Sequence, residues 1–331
     1  MIITRTPFRI SFFGGGTDYP TWYQRHGGVV LATTIDKYCY ISCRYLPPFF
    51  EHKYRIVYSK IENVQNFSEI QHPAVKAVLG VYDCRDGLEI HHDGDLPARA
   101  GLGSSSSFTV GLINAVMALR GKYVSKDVLA SQAIHVEQKV IQENVGSQDQ
   151  ISAAFGGLNR IEFHRDGSFE VSPIVLPEDR LTVLQSHLML FFTGLSRTAS
   201  EVAKFTVENM GKREKELRLM QEMVDQAVSV LQDGTVPIEE FGQLLHQGWM
   251  YKRRLSDKVS TADIDTIYES ARSVGAIGGK LLGAGGGGFF LLFVRPEHQK
   301  EVREKLSHLI RVPFRFENSG SRVVLYQPSG L

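Results

Sequence analysis

Residues 96–115 read LPARAGLGSSSSFTVGLINA. Gly101 and Gly103 free the backbone for tight turning and close approach. Ser104 to Ser107 follow, and Phe108, Leu112, Ile113 and Val116 then recur at helical spacing. The stretch therefore reads as a loop feeding a helix, with Ser104 as the expected N-cap. A helix start presents amide N–H groups and the positive end of the helix dipole, which suits a phosphate. Serine hydroxyls can bond phosphate oxygens or a Mg²⁺ ion. A Gly/Ser turn before a capped helix, with no ligand, has the same pattern.

Two carboxylates come next. Glu137 lies three and four residues from Ala133, Ile134, Val140 and Ile141, the apolar stripe of a helix expected from 125 or 126 to about 144. A carboxylate in the middle of a buried face needs a cation or several donors. A salt bridge at the edge of the core and a metal ligand both meet that need. Asp149 falls in the first turn of a short helix opened by the polar turn 144–150, where it either compensates the helix dipole or does chemistry. Near the N-terminus, Arg9 and Ser11 share one face of an extended segment and point at something polar. Gly14, Gly15 and Gly16 end that segment, and Thr17, Asp18, Tyr19 and Pro20 form a turn. A third glycine run spans 283–288.

The elements that hold these clusters alternate between strand and helix patterns. Strands are expected at 2–13 (broken by Pro7), 29–34, 38–44, 55–59, 88–92, 158–163, 169–174 and 188–192. Amphipathic helices are expected within 198–233, from 237 to about 255, and at 263–274, with their alternating charges on solvated faces. A final helix at 296–309 and strands near 312–316 and 322–326 complete an α+β pattern of two domains, divided near 175. At 331 residues, two domains is the natural expectation. Hydrophobic content of 43% and charged content of 22% suit a globular enzyme. With 37 basic and 36 acidic residues, the chain has no electrostatic footprint for nucleic acid or anionic membrane. Cys39, Cys43 and Cys84 have no zinc spacing and read as buried, reduced thiols. His91 and His92 would diverge on a strand, which argues against a metal pair. No signal peptide or membrane-spanning run is evident, so a cytoplasmic location is expected.

Several phosphate chemistries are excluded. Residues 283–288 formally match G-x-G-x-x-G, but a dinucleotide site needs strand, glycines, then helix. Here a helix is expected before the glycines and a strand after them. No P-loop motif and no protein-kinase catalytic-loop signature occurs. Three glycine-rich segments in order, TPFRISFFGGGTDYP, LPARAGLGSSSS and KLLGAGGGGFFLLF, resemble the GHMP kinases, the superfamily of galactokinase, homoserine kinase and mevalonate kinase. The resemblance covers essentially the whole chain. It implies an α+β fold with a ribosomal-protein-S5-like N-terminal domain (1–175), a ferredoxin-like C-terminal domain (176–331) and an active site in the cleft between them.

The resemblance also implies roles. Arg99, Ala100, Gly101, Leu102, Gly103, Ser104, Ser105 and Ser106 form the ATP phosphate loop. Ser105 and Glu137 are at the Mg²⁺-ligand positions. Asp149 is the catalytic carboxylate and Arg9 the basic residue beside it. Gly15, Gly16, Thr17, Asp18, Gly285 and Gly286 face the acceptor, and Arg197 is the first choice for gripping a substrate phosphate, with Arg25, His26, Lys37 and Arg44 as alternatives. Galactokinase and mevalonate kinase carry an acidic residue and a His where this chain has Gly15 and Gly16. The first motif looks most like the D-glycero-D-manno-heptose 7-phosphate kinase branch. This implies ATP-dependent transfer to the anomeric hydroxyl, feeding nucleotide-activated heptose into lipopolysaccharide or other surface polysaccharide. A kinase for free L-fucose, L-arabinose or galactose, and a non-catalytic sugar and ATP sensor, are the competing readings. ATP and a sugar phosphate are the expected partners, and a homodimer is compatible with the sequence.

Overall fold

The computed structural model describes residues 1–98, 100–195 and 199–328. It opens with strand β1 (Ile2–Phe13), helix α1 (Pro20–His26) and strand β2 (Gly28–Tyr45). β1 and β2 pair antiparallel, and neither is broken as the sequence suggests. Pro7 pairs with Tyr38 but Phe8 with Ile35, so Asp36 and Lys37 form a bulge opposite the residue that lacks an N–H. Strands β3 (Tyr54–Val57) and β4 (Ile61–Val64), helix α2 (Pro73–Val81) and strand β5 (Leu88–Gly94) follow. β5 runs antiparallel to β2 and parallel to β3.

Helices α3 (Ser104–Leu119) and α4 (Lys126–His135), a π-helical segment (Val136–Ile141) and helix α5 (Gln148–Phe155) come next. They lead into the hairpin β6 (Asn159–Phe163) and β7 (Phe169–Pro173), which extends from β2. α3 packs on β1 and β2 and also touches α2, α4 and α5. Its approach to the sheet is close, because a Cβ on Gly111 would stand 2.8 Å from Thr6 Oγ1.

Helix α6 (Glu178–Ser186) has no counterpart in the sequence reading; it buries only Leu184, so no apolar stripe marks it. Strand β8 (Leu188–Phe192) precedes helices α7 (Ala199–Asn209), α8 (Glu214–Gln232), α9 (Glu239–Arg253) and α10 (Ala262–Arg272), close to where the periodicity places them. The glycine run is flanked by strands β9 (Ala276–Leu281) and β10 (Phe289–Val294), not by a helix and a strand. Gly278 and Gly279 hide β9 from propensity reading. A strand, not a helix, follows the glycines directly. Helix α11 (Gln299–Lys305) and strand β11 (Ile310–Val312) complete a second sheet in the order β11-β8-β10-β9.

Strands β12 (Phe316–Glu317) and β13 (Arg322–Tyr326) then return to the first sheet and pair with β2 and β1. Residues expected in the second unit thus finish the first sheet. α8 packs on β1 and β2, and α9 on β1, β9 and β10, so these two helices join the sheets. Phe12 and Phe13 meet Phe241 of α9 edge-on, with ring centroids 5.3 and 5.1 Å apart. The end of β1, which carries Arg9 and Ser11, therefore lies at the junction. Among the described residues no helix is long and apolar enough to cross a membrane. Cys39, Cys43 and Cys84 are free and buried.

The α9–β9 contact is made backbone to backbone. A Cβ on Gly278 would stand 1.9 Å from the Gly242 carbonyl oxygen, whereas a Cβ on Gly211 meets nothing within 4 Å. Gly278→Ala should lower stability by about 3 kcal/mol, and Gly211→Ala should leave it nearly unchanged. Urea denaturation of the two variants checks this, and equal midpoints would contradict it.

Candidate active site

The N-terminal half of the site is built on two ends of structure. β1 delivers Arg9, and the first turn of α5 delivers Asp149. The guanidinium grips the carboxylate with two bonds, Nε to Oδ1 at 2.7 Å and Nη2 to Oδ2 at 2.9 Å. Its Nη1 donates to the Gly101 carbonyl at 2.6 Å. The Arg9 backbone N–H donates to Leu102 O at 3.0 Å. One residue thus orients the carboxylate and anchors the Gly/Ser loop. Gly103 ends that loop in the left-handed conformation (φ 74°) and, not Ser104, is the N-cap of α3. A Cβ on Gly103 would lie 3.4 Å from Asp149 Oδ2, so the loop passes directly over the ion pair.

The other wall of the loop is the third glycine run. The Phe289 N–H donates to Ala100 O at 3.1 Å. A Cβ on Gly283 would stand 2.5 Å from Gly101 Cα. Gly285 and Gly286 are buried. Gly286 gives its N–H to Val259 O at 3.0 Å, and a Cβ on Gly285 would strike the Val259 backbone at 2.7 Å. These two glycines are packed against the Val259 backbone.

Glu137 lies in the π-helical segment, where the wider turn carries Val140 out to 43% exposure and leaves Glu137 at 1%. This corrects the expected helix to 144, whose stripe included Val140. Ser106 Oγ donates to Glu137 Oε2 at 2.8 Å, and Gln150 Nε2 donates to the same oxygen. Oε1 is buried with no hydrogen-bond partner. Burial pushes the carboxyl up to about 7, against the lowering effect of the nearby Thr109, Ser106 and Gln150 side chains. Ser105, expected beside Glu137, is exposed, and Ser106 takes that place because it lies one residue further round the helix.

Asp18 ties the first motif to the polar turn. It accepts from the Gly16 N–H at 2.9 Å and from the Gln148 N–H at 3.4 Å, and its own carbonyl accepts from the Ser147 N–H at 2.9 Å. Gly146 has no side chain because a Cβ there would stand 1.9 Å from Asp18 Oδ2. Burial first, then the Asp149 charge, raise the Asp18 carboxyl above its ordinary value. Thr17, expected to face the acceptor, is fully buried. Its hydroxyl donates to Gly14 O at 2.8 Å and accepts from the Val29 N–H at 3.1 Å, so it pins the turn instead.

Two buried lysines complete the charge pattern. Lys252 of α9 donates to the carbonyls of Leu281 and Gly283, at 2.8 and 2.5 Å. Lys280 of β9 donates to Phe12 O at 2.7 Å. Burial lowers Lys252 to about 7, with Arg9 adding to the effect. Lys280 is held well below the ordinary lysine value by burial first, then by Lys252 and Arg9. The junction therefore gathers Arg9, Lys252 and Lys280 close to Asp18 and Asp149, with burial disfavouring the charge on both lysines.

Comparison with known proteins gives the family. Residues 69–157 match the GHMP kinases N terminal domain, and residues 237–311 match the GHMP kinases C terminal domain. Mevalonate kinase of Pyrococcus abyssi is 31% identical over 253 residues, 74% of this chain and 70% of its own. The chain is a GHMP kinase. The D-glycero-alpha-D-manno-heptose 7-phosphate kinase of Campylobacter jejuni is 28% identical over 312 residues, covering 89% of this GHMP kinase and 90% of the relative. A crystal structure described as a D-glycero-D-manno-heptose 1-phosphate kinase from Bacteriodes thetaiotaomicron superimposes with a TM-score of 0.80 at 23% identity, covering 98% of both chains. This GHMP kinase transfers phosphate from ATP to a hydroxyl group.

Of the site residues expected from sequence, Arg9, Asp18, Asp149 and the loop from Ala100 to Ser106 come together in the kinase. Arg99 and Arg197 lie outside the described residues. Among the alternatives to Arg197, Lys37 pairs with Asp36 and Arg44 with Glu89. His91 also binds Glu89, and no cluster of three potential metal-binding side chains occurs among the described residues. Sequence reading placed Ser106 in the phosphate loop but missed it as the partner of Glu137, and it missed Gln150 and both lysines. Lys280 stood inside the third motif as a signal, whereas Lys252 reads as an ordinary charge on an amphipathic helix.

Lys252 has a measurable consequence. Between its lowered value near 7 and the ordinary lysine value, the unfolded chain binds a proton that the folded chain does not, so stability rises with pH. From pH 7 to 9 the wild type should gain about 2 kcal/mol relative to Lys252→Met, whatever the variant's absolute stability. Urea denaturation at the two pH values checks this; parallel curves would contradict it.

Proposed function

We propose that this kinase phosphorylates the anomeric C1 hydroxyl of D-glycero-D-manno-heptose 7-phosphate with ATP, giving the 1,7-bisphosphate. The single observation that supports an acceptor hydroxyl at Asp149 is the two-pronged Arg9 grip directly beneath Gly103. It places a fixed carboxylate and a fixed cation where the phosphate loop ends. The sugar phosphate comes from the likeness to the Campylobacter relative and from the first motif.

In this reading the acceptor oxygen forms a bond to the γ-phosphorus while the bond to the bridging oxygen of ADP breaks. The acceptor's proton passes to Asp149. Arg9 keeps that carboxylate oriented, and its charge lowers the cost of negative charge spreading over the transferring group. Amide N–H groups of the loop and the start of α3 hold the triphosphate. The donor set fits Mg²⁺: Glu137 offers the unpartnered, buried Oε1, and hydroxyls at the start of α3 lie beside it. Bound there, the ion would neutralise phosphate charge, with further ligands from the nucleotide.

Turnover of ATP against a panel of sugars and sugar phosphates, with the product's phosphate position read by ³¹P NMR, tests the assignment. Activity with the 7-phosphate and a new signal at C1 are expected; equal rates with free sugars would overturn the substrate. Asp149→Asn should lower kcat by roughly a thousandfold and leave the ATP Kd within about threefold. Unchanged turnover would remove Asp149 from its role.

A further inference from the structure

Helix α9 buries Phe241, Gly242, Leu245, Trp249 and Lys252, and of these Lys252 alone is charged. Packing would be served at least as well by an apolar side chain there, because burying an ammonium is costly. Lys252 is 9% exposed, and its Nζ donates to the carbonyls of Leu281 and Gly283, at 2.8 and 2.5 Å. These two carbonyls straddle Leu282, where β9 ends and the third glycine run begins. β9 is the last strand of its sheet, and α9 covers it.

The segment that Lys252 holds is the one the phosphate loop rests on. A Cβ on Gly101 would stand 2.4 Å from Leu282 O, and one on Gly283 would stand 2.5 Å from Gly101 Cα. The Leu282 N–H donates to Phe289 O at 2.9 Å, and the Phe289 N–H donates to Ala100 O at 3.1 Å. Backbones packed this closely leave no slack, so a small displacement of residues 281–283 either strikes Gly101 or releases it. Arg9, by contrast, is also held by two bonds to Asp149. The carboxylate end of the site therefore keeps its place when the glycine run moves.

We propose that Lys252 is a positioning residue for the nucleotide: its two bonds hold the third glycine run against Gly101, and so fix where the loop 100–106 presents its amides to the triphosphate. It acts through the loop and touches neither substrate. The proposal rests on the reading of that loop as the phosphate cradle.

Calorimetric titration with ATP, steady-state kinetics with ATP and heptose 7-phosphate, and thermal melts of Lys252→Met and Lys252→Arg test it. Lys252→Met keeps the length of the side chain and removes its donors. The ATP Kd and KM should each rise about tenfold, while the heptose 7-phosphate KM stays within about twofold. Lys252→Arg keeps donors for both carbonyls and should recover most of that loss. A lysine with only a structural role would lower the melting temperature and the active fraction and leave the ATP Kd of the folded protein unchanged. That result would overturn the proposal, as would equal rises in the two KM values. Should Lys252→Met not fold, Lys252→Gln, with an amide donor on a shorter stem, replaces it under the same criterion. The Kd needs no acceptor, so it reads the role of Lys252 whichever sugar is the substrate. An unchanged ATP Kd in folded Gly103→Val would instead remove the phosphate-loop reading, and the role of Lys252 with it.

Discussion

The Arg9–Asp149 ion pair is the contact from which the rest of the site takes its shape. Its partners are 140 residues apart in sequence and come from a strand and a helix start. The same guanidinium holds Gly101, and the same residue's N–H holds Leu102. A carboxylate gripped at both oxygens has little freedom to rotate, and a loop fixed to its gripping partner cannot drift relative to it. In the proposed reaction, one side chain would therefore set the positions of the transferring phosphate and the accepting hydroxyl. Such a buried pair is weak evidence for stability, because desolvation opposes the attraction. Its value lies in geometry.

Around this pair the glycines act as contact surfaces. Gly101 meets Gly283, and Gly146 meets Asp18, each at separations no Cβ would allow. Backbone touching backbone brings the second and third motifs together and lets Asp18 tuck against the turn that carries Asp149. Lys252 adds a bond from α9 to Gly283 O. A continuous line of contacts therefore runs from the C-terminal helices, through the third motif and the phosphate loop, to Arg9.

Much of this was readable from residue types. Glu137 stood out as a carboxylate on an apolar face, and it is buried, although the helix around it is a π-helix and Val140 turns outward. Asp149 is in the first helical turn as expected. Thr17 and Gly286 were less readable, because a buried threonine pin and a binding threonine share the same local sequence, and the neighbour that occupies Gly286, Val259, is distant in the chain. Lys252 was hidden for the opposite reason: its environment is made by strand β9 and the glycine run, neither of which its own helix reveals. Local pattern reports which residues are unusual, whereas long-range packing decides which way each one faces.

The return of β13 to β1 also bears on how the molecule is made. Ile2 pairs with Tyr326, so the outer edge of the first strand waits until residue 326 has been made. At ribosomal speeds of about 5–20 residues per second, that wait is roughly 15–60 s. During it, β1 presents open backbone groups to other nascent chains. Chaperone protection of the growing polypeptide would guard this seam until β13 has emerged from the ribosome.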